Sequence, residues 1–320
     1  VEGSKYFGTP YLYKENGFKE REKAEELIAY LKEEPPLEAK VLSKEKKKET
    51  KNPPLLYNLA ELQNDCSKMF KISPDETLKV VQELYEKKLV TYPRTDARVL
   101  STAVAKEIYK NINGLMRYEP MAGFAKEAMD LGSFKGIAKT RYVNDKQITD
   151  HYAIIPTGQG MGNLRGLSPL SEKVYQVVCR RFLSIFYPAA IYQKYSLVLE
   201  RKKEQFFASF KVLSEPGYLK VADVNLAKKS SIQETFSDEK EGNSAQTDEK
   251  NAEIPKVDRT LLLQVLADLK KNAILTIADL KVKEGETSPP KRYTSGSMIL
   301  AMENAGQLIE DEELRAQIKG

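Results

Sequence analysis

Apolar positions recur at helical spacing along much of the chain. In FKEREKAEELIAYLKE (18–33), Ala24, Leu27, Ile28 and Leu31 share one face, which predicts an amphipathic helix. Proline pairs at 35–36 and 53–54 then bracket a run predicted as an exposed basic strand, and the second pair marks a boundary. Helical period resumes over 55–71 through Leu59, Leu62 and Met69. The next helix carries its own start signal in SPDETLKVVQELYEKK: Ser73 as N-cap, Pro74 at the first helical position and Glu76 completing a capping box. Leu78, Val81, Leu84 and Tyr85 supply its buried stripe, and it ends near Lys88. A further helix begins near Ser101 and covers STAVAKEIYKNI. Between these two helices lies LVTYPRTD (89–96), where Pro93 pushes Tyr92 out of helical backbone space. Tyr92 is thus placed in an extended link at a helix–turn–helix junction, from which a side chain can project into a groove.

In the second half, ITDHYAIIPTGQG (148–160) is an apolar run that holds the chain's single histidine, His151, beside Asp150. LSEKVYQVVCRRFLSIFYP (170–188) predicts an apolar helix stopped by Pro188. The stretch from Ile191 to Val221 alternates as paired strands do, with a turn near Lys202 to Glu204. Residues 228–255 have little that could pack and are expected to be a loop or disordered. ILTIADLKVKEGE reads as strand, and PPKRYTSGSMILAMENAG as a helix entered through a polar turn.

Length and composition narrow the class. A chain of 320 residues exceeds one ordinary core and implies two or three structural units. No apolar stretch approaches the roughly 18 to 20 residues of a spanning helix, so no membrane partner is expected. The opening VEGSKYFGTPYLYKENG has neither a charged leader nor an apolar block, so no signal peptide is expected, and Val1 in place of Met points to an excised fragment. Cys66 and Cys179 lie too far apart in sequence for CxxC chemistry or a zinc ribbon and read as buried free thiols, in keeping with a reducing, cytoplasmic setting. The net charge is only +5, but basic residues concentrate at 40–51 and at Lys291 and Arg292, which permits a polyanion partner.

The candidate chemistry centres on Tyr92. A tyrosine with a normal pKa of about 10 is a poor nucleophile at neutral pH and needs nearby positive charge. Arg94, two residues on in an extended link, points to the same side and offers bidentate phosphate binding. Asp96 can orient Arg94 or cap the next helix. The competing structural reading is a helix ending in a turn, with Tyr92 half-buried and Arg94 paired to Asp96. His151 is open to both readings too, as a phosphate contact or proton carrier or as a satisfied structural group. RYTSGS (292–297) offers Arg292, the Thr294, Ser295 and Ser297 hydroxyls and Gly296, which suit a phosphate at a helix N-terminus and equally suit capping. The acidic IEDEEL (309–314) points its carboxylates in different directions on a helix and reads as a solvated face, with no metal assigned.

The order of these pieces carries more than each alone. PPLLYNLAELQ (53–63), LVTYPRTD (89–96), DHYAIIPTG (150–158), FASFKVLSEPGYLKV (207–221) and PPKRYTSGSMILAMENAG (289–306) together resemble the type IA DNA topoisomerases over essentially the whole chain, and within them the bacterial topoisomerase III branch. The resemblance implies ATP-independent chemistry, useful for relaxation or decatenation: a tyrosine attacks one DNA strand to give a 5′-phosphotyrosyl link, the intact strand passes through, and the break is resealed. It places Tyr92 on the nucleophile, Arg94 on the arginine that stabilises the scissile phosphate, His151 on the histidine of HxAIxPT near the DNA, and Asp96 on the acidic position of the tyrosine motif. Arg292 and Thr294 fall in a segment that contacts DNA backbone, where Ser295 departs from the usual glutamate.

The resemblance also implies the fold class, an α+β multidomain architecture. Residues 1–52 and 190–257 would form a strand-rich arch or gate, residues 53–189 a helical, CAP-like domain carrying the tyrosine, and residues 258–320 part of a helical base domain. A Toprim domain, whose acidic cluster holds Mg²⁺ and which sets a glutamate beside the tyrosine, is expected to precede residue 1, with no Mg²⁺ ligand in the present chain. A GxGTxxTR-like segment is expected after Gly320. The chain therefore reads as an internal fragment, inactive alone, whose partners are single-stranded DNA, its own Toprim domain and, by family analogy, a helicase. The rival reading is a non-catalytic single-strand-binding scaffold in which Tyr92 stacks on a base. A tyrosine recombinase or rolling-circle nuclease fits less well, since those sites need more than one histidine.

Overall fold

The computed structural model describes residues 12–13, 17–222, 233–234, 265–286, 289–290 and 292–305. The backbone divides into two compact units, one of residues 1–51, 191–215 and 225–289, the other of 52–190, 216–224 and 290–320. The C-terminal stretch that the resemblance groups together is thus shared between the two.

The first unit is built on a sheet. A short antiparallel pair, β1 (Leu12–Tyr13) and β2 (Gly17–Phe18), precedes helix α1 (Arg21–Lys32) and the long strand β3 (Glu38–Lys51), the basic strand expected between the proline pairs. Strands β4 (Ala190–Arg201) and β5 (Glu204–Glu215) form an antiparallel hairpin, and with β6 (Gln233–Glu234) and β7 (Ile274–Thr276) the sheet order is β6-β5-β4-β3-β7. Lys202 and Lys203 turn the hairpin with φ of 49° and 65°, the left-handed pair that a two-residue connection requires. Lys202 is anchored there through its Nζ, which donates to the Tyr30 carbonyl at 2.8 Å and lies over the Tyr30 ring. Tyr195, Leu197 and Leu266 are buried together with Ala208, Phe210 and Leu269 packed on them. Only Ile274–Thr276 of the expected strand ILTIADLKVKEGE pairs, and the expected loop 228–255 lies outside the described residues except for Gln233–Glu234.

The second unit is helical: α2 (Leu59–Phe70), α3 (Pro74–Glu86), α4 (Thr102–Leu115), α5 (Glu119–Leu131), α6 (Pro169–Ser184), the single turn α7 (Leu219–Ala222) and α8 (Ser295–Glu303). The N-caps fall where the sequence puts them: Ser73 accepts from Glu76 N at 3.1 Å and Ser101 from Val104 N at 3.2 Å. Among the described residues Glu76 makes no return bond, so the expected capping box is half formed. The stripe of α3 is rotated from expectation: Thr77, Val80, Val81 and Leu84 are buried, while Tyr85 is 39% exposed. Met69 of α2 likewise faces solvent, and α6 ends at Ser184, ahead of Pro188.

One polar cluster ties α2 to α6. Arg181 Nη2 lies 2.8 Å from Asp65 Oδ2, its Nη1 donates to the Leu55 carbonyl at 3.0 Å, and its guanidinium sits 4.0 Å from the centroid of the Tyr57 ring. Tyr57 Oη donates to the same Asp65 oxygen at 2.6 Å. Arg181→Met leaves Asp65 without its counter-charge and is expected to cost about 2–3 kcal/mol, below the range for a fully buried pair because 25% of the Asp65 side chain is exposed. The urea midpoint measures the loss, and adding Asp65→Asn is expected to recover part of it.

Candidate active site

The chain around Tyr92 is neither helix nor regular strand. It is held by hydrogen bonds to 151–157, the segment that contains the lone histidine. Thr91 does most of this: its N–H donates to the Ile155 carbonyl at 3.0 Å, its hydroxyl donates to the Ala153 carbonyl at 3.0 Å, and the same hydroxyl accepts from Ile155 N at 2.9 Å. On the other side of Tyr92, Thr95 Oγ1 donates to the His151 carbonyl at 2.9 Å and accepts from Ala97 N at 3.1 Å. Thr157 N–H donates to the Leu89 carbonyl at 3.0 Å, and Ala153 N–H to the Val99 carbonyl at 3.0 Å. The two threonines that flank the tyrosine thus use side chains where a regular ladder would use backbone.

The pairing brings Tyr92 and His151 together, with ring centroids 4.3 Å apart and planes tilted by 40°. Tyr85, from the last turn of α3, also meets Tyr92, edge-to-face at 5.5 Å. His151 lines two adjoining cavities. One, of about 520 Å³, is also lined by Gln63, Arg94, Asp96, Asp150 and Glu303. The other, of about 570 Å³, is lined by Tyr85, Lys88, Tyr92, Tyr152 and Gln159. Arg94 and Asp96 are both exposed, and among the described residues Arg94 forms no ion pair, so the structural reading in which Asp96 neutralises it is not what the geometry shows. An unpaired guanidinium at a cavity mouth keeps its donors for an incoming anion.

Two residues that sequence reading passed over fix the floor of this site. Asn58, 1% exposed, caps α2 by accepting from Glu61 N at 2.9 Å, and its amide donates both to the Asp96 carbonyl at 3.1 Å and to Glu303 Oε1 at 2.6 Å. Burial raises the Glu303 carboxyl above the ordinary range, with Glu61 and Asp96 pushing the same way and Asn58 and Arg98 opposing. The signal for Asn58 was its N-cap position, whereas nothing local marked Glu303.

Arg292 and Thr294 lie elsewhere. Thr294 is the N-cap of α8, accepting from Ser297 N at 3.2 Å while Ser297 Oγ accepts from Thr294 N at 2.8 Å, a reciprocal capping box. Gly296 lets this end approach α2, since a Cβ there would stand 2.9 Å from Asn64 Cα. Arg292 is exposed, and neither it nor Thr294 lines the two cavities around Tyr92. Among the described residues no group of three or more His, Cys, Asp or Glu is placed to hold a metal ion.

A tyrosine in a strand-like link, backed by the HxAIxPT segment and followed by an unpaired arginine, is what the motif order anticipates, and comparison with known proteins agrees. The family model described as DNA topoisomerase matches residues 3–307. This chain belongs to the DNA topoisomerase family. DNA topoisomerase 3 of Bacillus subtilis is 35% identical over 263 residues, covering 81% of this chain and 32% of that protein. DNA topoisomerase 3 of Bacillus licheniformis is 34% identical over 261 residues, covering 81% and 31%. The chain therefore spans about a third of the length of these topoisomerase relatives. Full-length topoisomerase I from Thermotoga maritima superimposes with a TM-score of 0.56 at 22% identity, covering 92% of this chain and 41% of that one, so the chain has the α+β type IA topoisomerase fold. No helix among the described residues of this topoisomerase chain is long and apolar enough to cross a membrane.

Proposed function

We propose that this chain is the strand-cleaving part of a topoisomerase III-type enzyme, acting on single-stranded DNA through a 5′-phosphotyrosyl link on Tyr92. The observation that carries the reading is the setting of Tyr92: clasped on both sides by Thr91 and Thr95, packed on His151, and followed by an Arg94 that forms no ion pair among the described residues. The Tyr92 oxygen gives up its proton and attacks the phosphorus, the new O–P bond forms as the bond to the 3′-oxygen breaks, and that oxygen takes up a proton and leaves as a 3′-hydroxyl. Because one phosphodiester replaces another, the 3′-hydroxyl can reverse the attack without ATP. Arg94 offsets charge on the equatorial oxygens, and His151 lies within reach of the same phosphate.

Mg²⁺ belongs to this proposal only as an ion that a Toprim domain of the same polypeptide would hold, as the resemblance implies, and no step above passes through it. The sheet unit is assigned as the arch and the helical unit as the tyrosine-bearing domain. A cytoplasmic setting rests on the two buried free cysteines, and a helicase partner on the resemblance.

The test uses the full-length enzyme and single-stranded DNA labelled at its 3′ end. A 5′-phosphotyrosyl link leaves that label on the protein, and mass spectrometry after nuclease digestion is expected to find the nucleotide on the peptide containing Tyr92. Label retained from the 5′ end instead, or an adduct on another tyrosine, would sink the proposal. Binding of the strand is expected to weaken steeply with added salt as counterions are released.

A further inference from the structure

We infer that the cavity lined by Tyr85, Tyr92, His151 and Tyr152 is a nucleobase subsite, which holds an unpaired base next to the phosphate that Tyr92 attacks. The inference rests on the proposed cleavage reading and adds to it a place for the base. Four observations carry it. The cavity, at about 570 Å³, falls in the size range of small-ligand sites, and four of its lining side chains are aromatic. Tyr85 stays 39% exposed in the last turn of α3, and it meets Tyr92 edge-to-face, so the two rings do not cover one another as a stacked pair would. The charges suit a base here rather than a phosphate: Lys88 and Glu86 offset one another in this cavity, whereas Arg94 lines the adjoining one. Finally, the cavity shares His151 with the one lined by Arg94, so a phosphate held near His151 and Arg94 leaves the base of a flanking nucleotide beside the aromatic walls.

Lys88 is built in rather than draped over the surface. Its φ is 62°, and its carbonyl accepts from Thr157 Oγ1 at 2.6 Å, which fixes the rim of the cavity to the segment that carries His151. An aromatic platform of this kind tolerates any base, because each has a π-face, and it rejects a nucleotide that has none.

The test is made on the full-length enzyme with single-stranded oligonucleotides whose cleavage position has first been mapped. An abasic nucleotide immediately 5′ or 3′ of that position is expected to lower adduct yield about ten-fold at one of the two positions. Tyr85→Ala is expected to lose about ten-fold on intact DNA and to show no further abasic penalty. A parent enzyme indifferent to both abasic positions, or a Tyr85→Ala variant with an undiminished penalty, would overturn the inference. A second readout does not need cleavage: 2-aminopurine at the sensitive position is expected to be quenched on binding by the parent and not by Tyr85→Ala. Absence of any adduct on intact DNA would therefore remove the cleavage reading, and unchanged fluorescence would remove the subsite.

Discussion

Tyr92→Phe in the full-length enzyme is expected to form no covalent DNA adduct while binding single-stranded DNA within about two-fold of the parent. The contrast among tyrosines makes this sharp. Tyr57, Tyr142 and Tyr187 use their hydroxyls structurally, donating to Asp65 at 2.6 Å, to the Pro53 carbonyl at 2.7 Å and to the Phe124 carbonyl at 2.8 Å, and burial raises the pKa of all three. Among the described residues the Tyr92 hydroxyl has no such partner, and what packs is its ring, on His151 and Tyr85. Removing one oxygen therefore leaves the packing in place and is expected to shift stability by no more than about 0.5 kcal/mol. It takes away only the proposed nucleophile. Adduct formation that survived in Tyr92→Phe would move the chemistry to another residue. A parent enzyme that binds but never links to DNA would instead favour a scaffold in which Tyr92 only stacks. Gel separation of the denatured complex reads the first quantity and fluorescence anisotropy the second.

Gly114→Ala is expected to destabilise the helical unit by about 2–3 kcal/mol, although alanine is the better helix former by about 1 kcal/mol. Gly114 lies in α4, and a Cβ there would stand 2.1 Å from the Gly158 carbonyl oxygen and 2.4 Å from Gly158 Cα. Both are backbone atoms, so no side chain can swing away. Gly158 is equally confined, with φ of +72° and a hypothetical Cβ at 2.9 Å from Asn111 Cα, and Asn111 Nδ2 donates to the Pro156 carbonyl at 2.9 Å. The turn that closes the HxAIxPT segment is thus seated directly on the helix that follows Tyr92. Gly123, within α5, meets nothing within 4 Å, and Gly123→Ala is expected to stabilise by up to about 1 kcal/mol. Denaturant midpoints should move in opposite directions for the two variants. A Gly114→Ala protein as stable as its parent would mean that the turn can lift off α4 without cost.

Much of this was legible in the sequence because it is written locally. Ser73 and Ser101 announced their helices, Pro93 took Tyr92 out of helical space, and Lys202 to Glu204 turned the hairpin, each through a rule that acts over four residues or fewer. What sequence reading missed is non-local. Helical spacing gave α3 an apolar face but not its limits, and Tyr85, at the edge of that face, belongs to the cavity beside Tyr92 rather than to the core. Helix α5 passed unread although Met121, Ala125 and Ala128 sit at helical spacing, since two of the three are alanines and give a weak apolar signal. The hydroxyls of Thr91 and Thr95 find carbonyls on a segment some sixty residues away, a pairing that no local pattern encodes. For Arg94, proximity in sequence suggested an ion pair with Asp96 that the backbone does not form.

The bond from Asn58 to Glu303 spans 245 positions. On a ribosome adding about 5–20 residues per second, α8 emerges roughly 10–50 s after Asn58. For that interval the carbonyl of Asp96 shares the Asn58 amide with no carboxylate, and the nascent tyrosine loop lacks the last of its anchors. A topoisomerase interrupted during synthesis would therefore carry the Tyr92 phenol before the floor beneath it is complete.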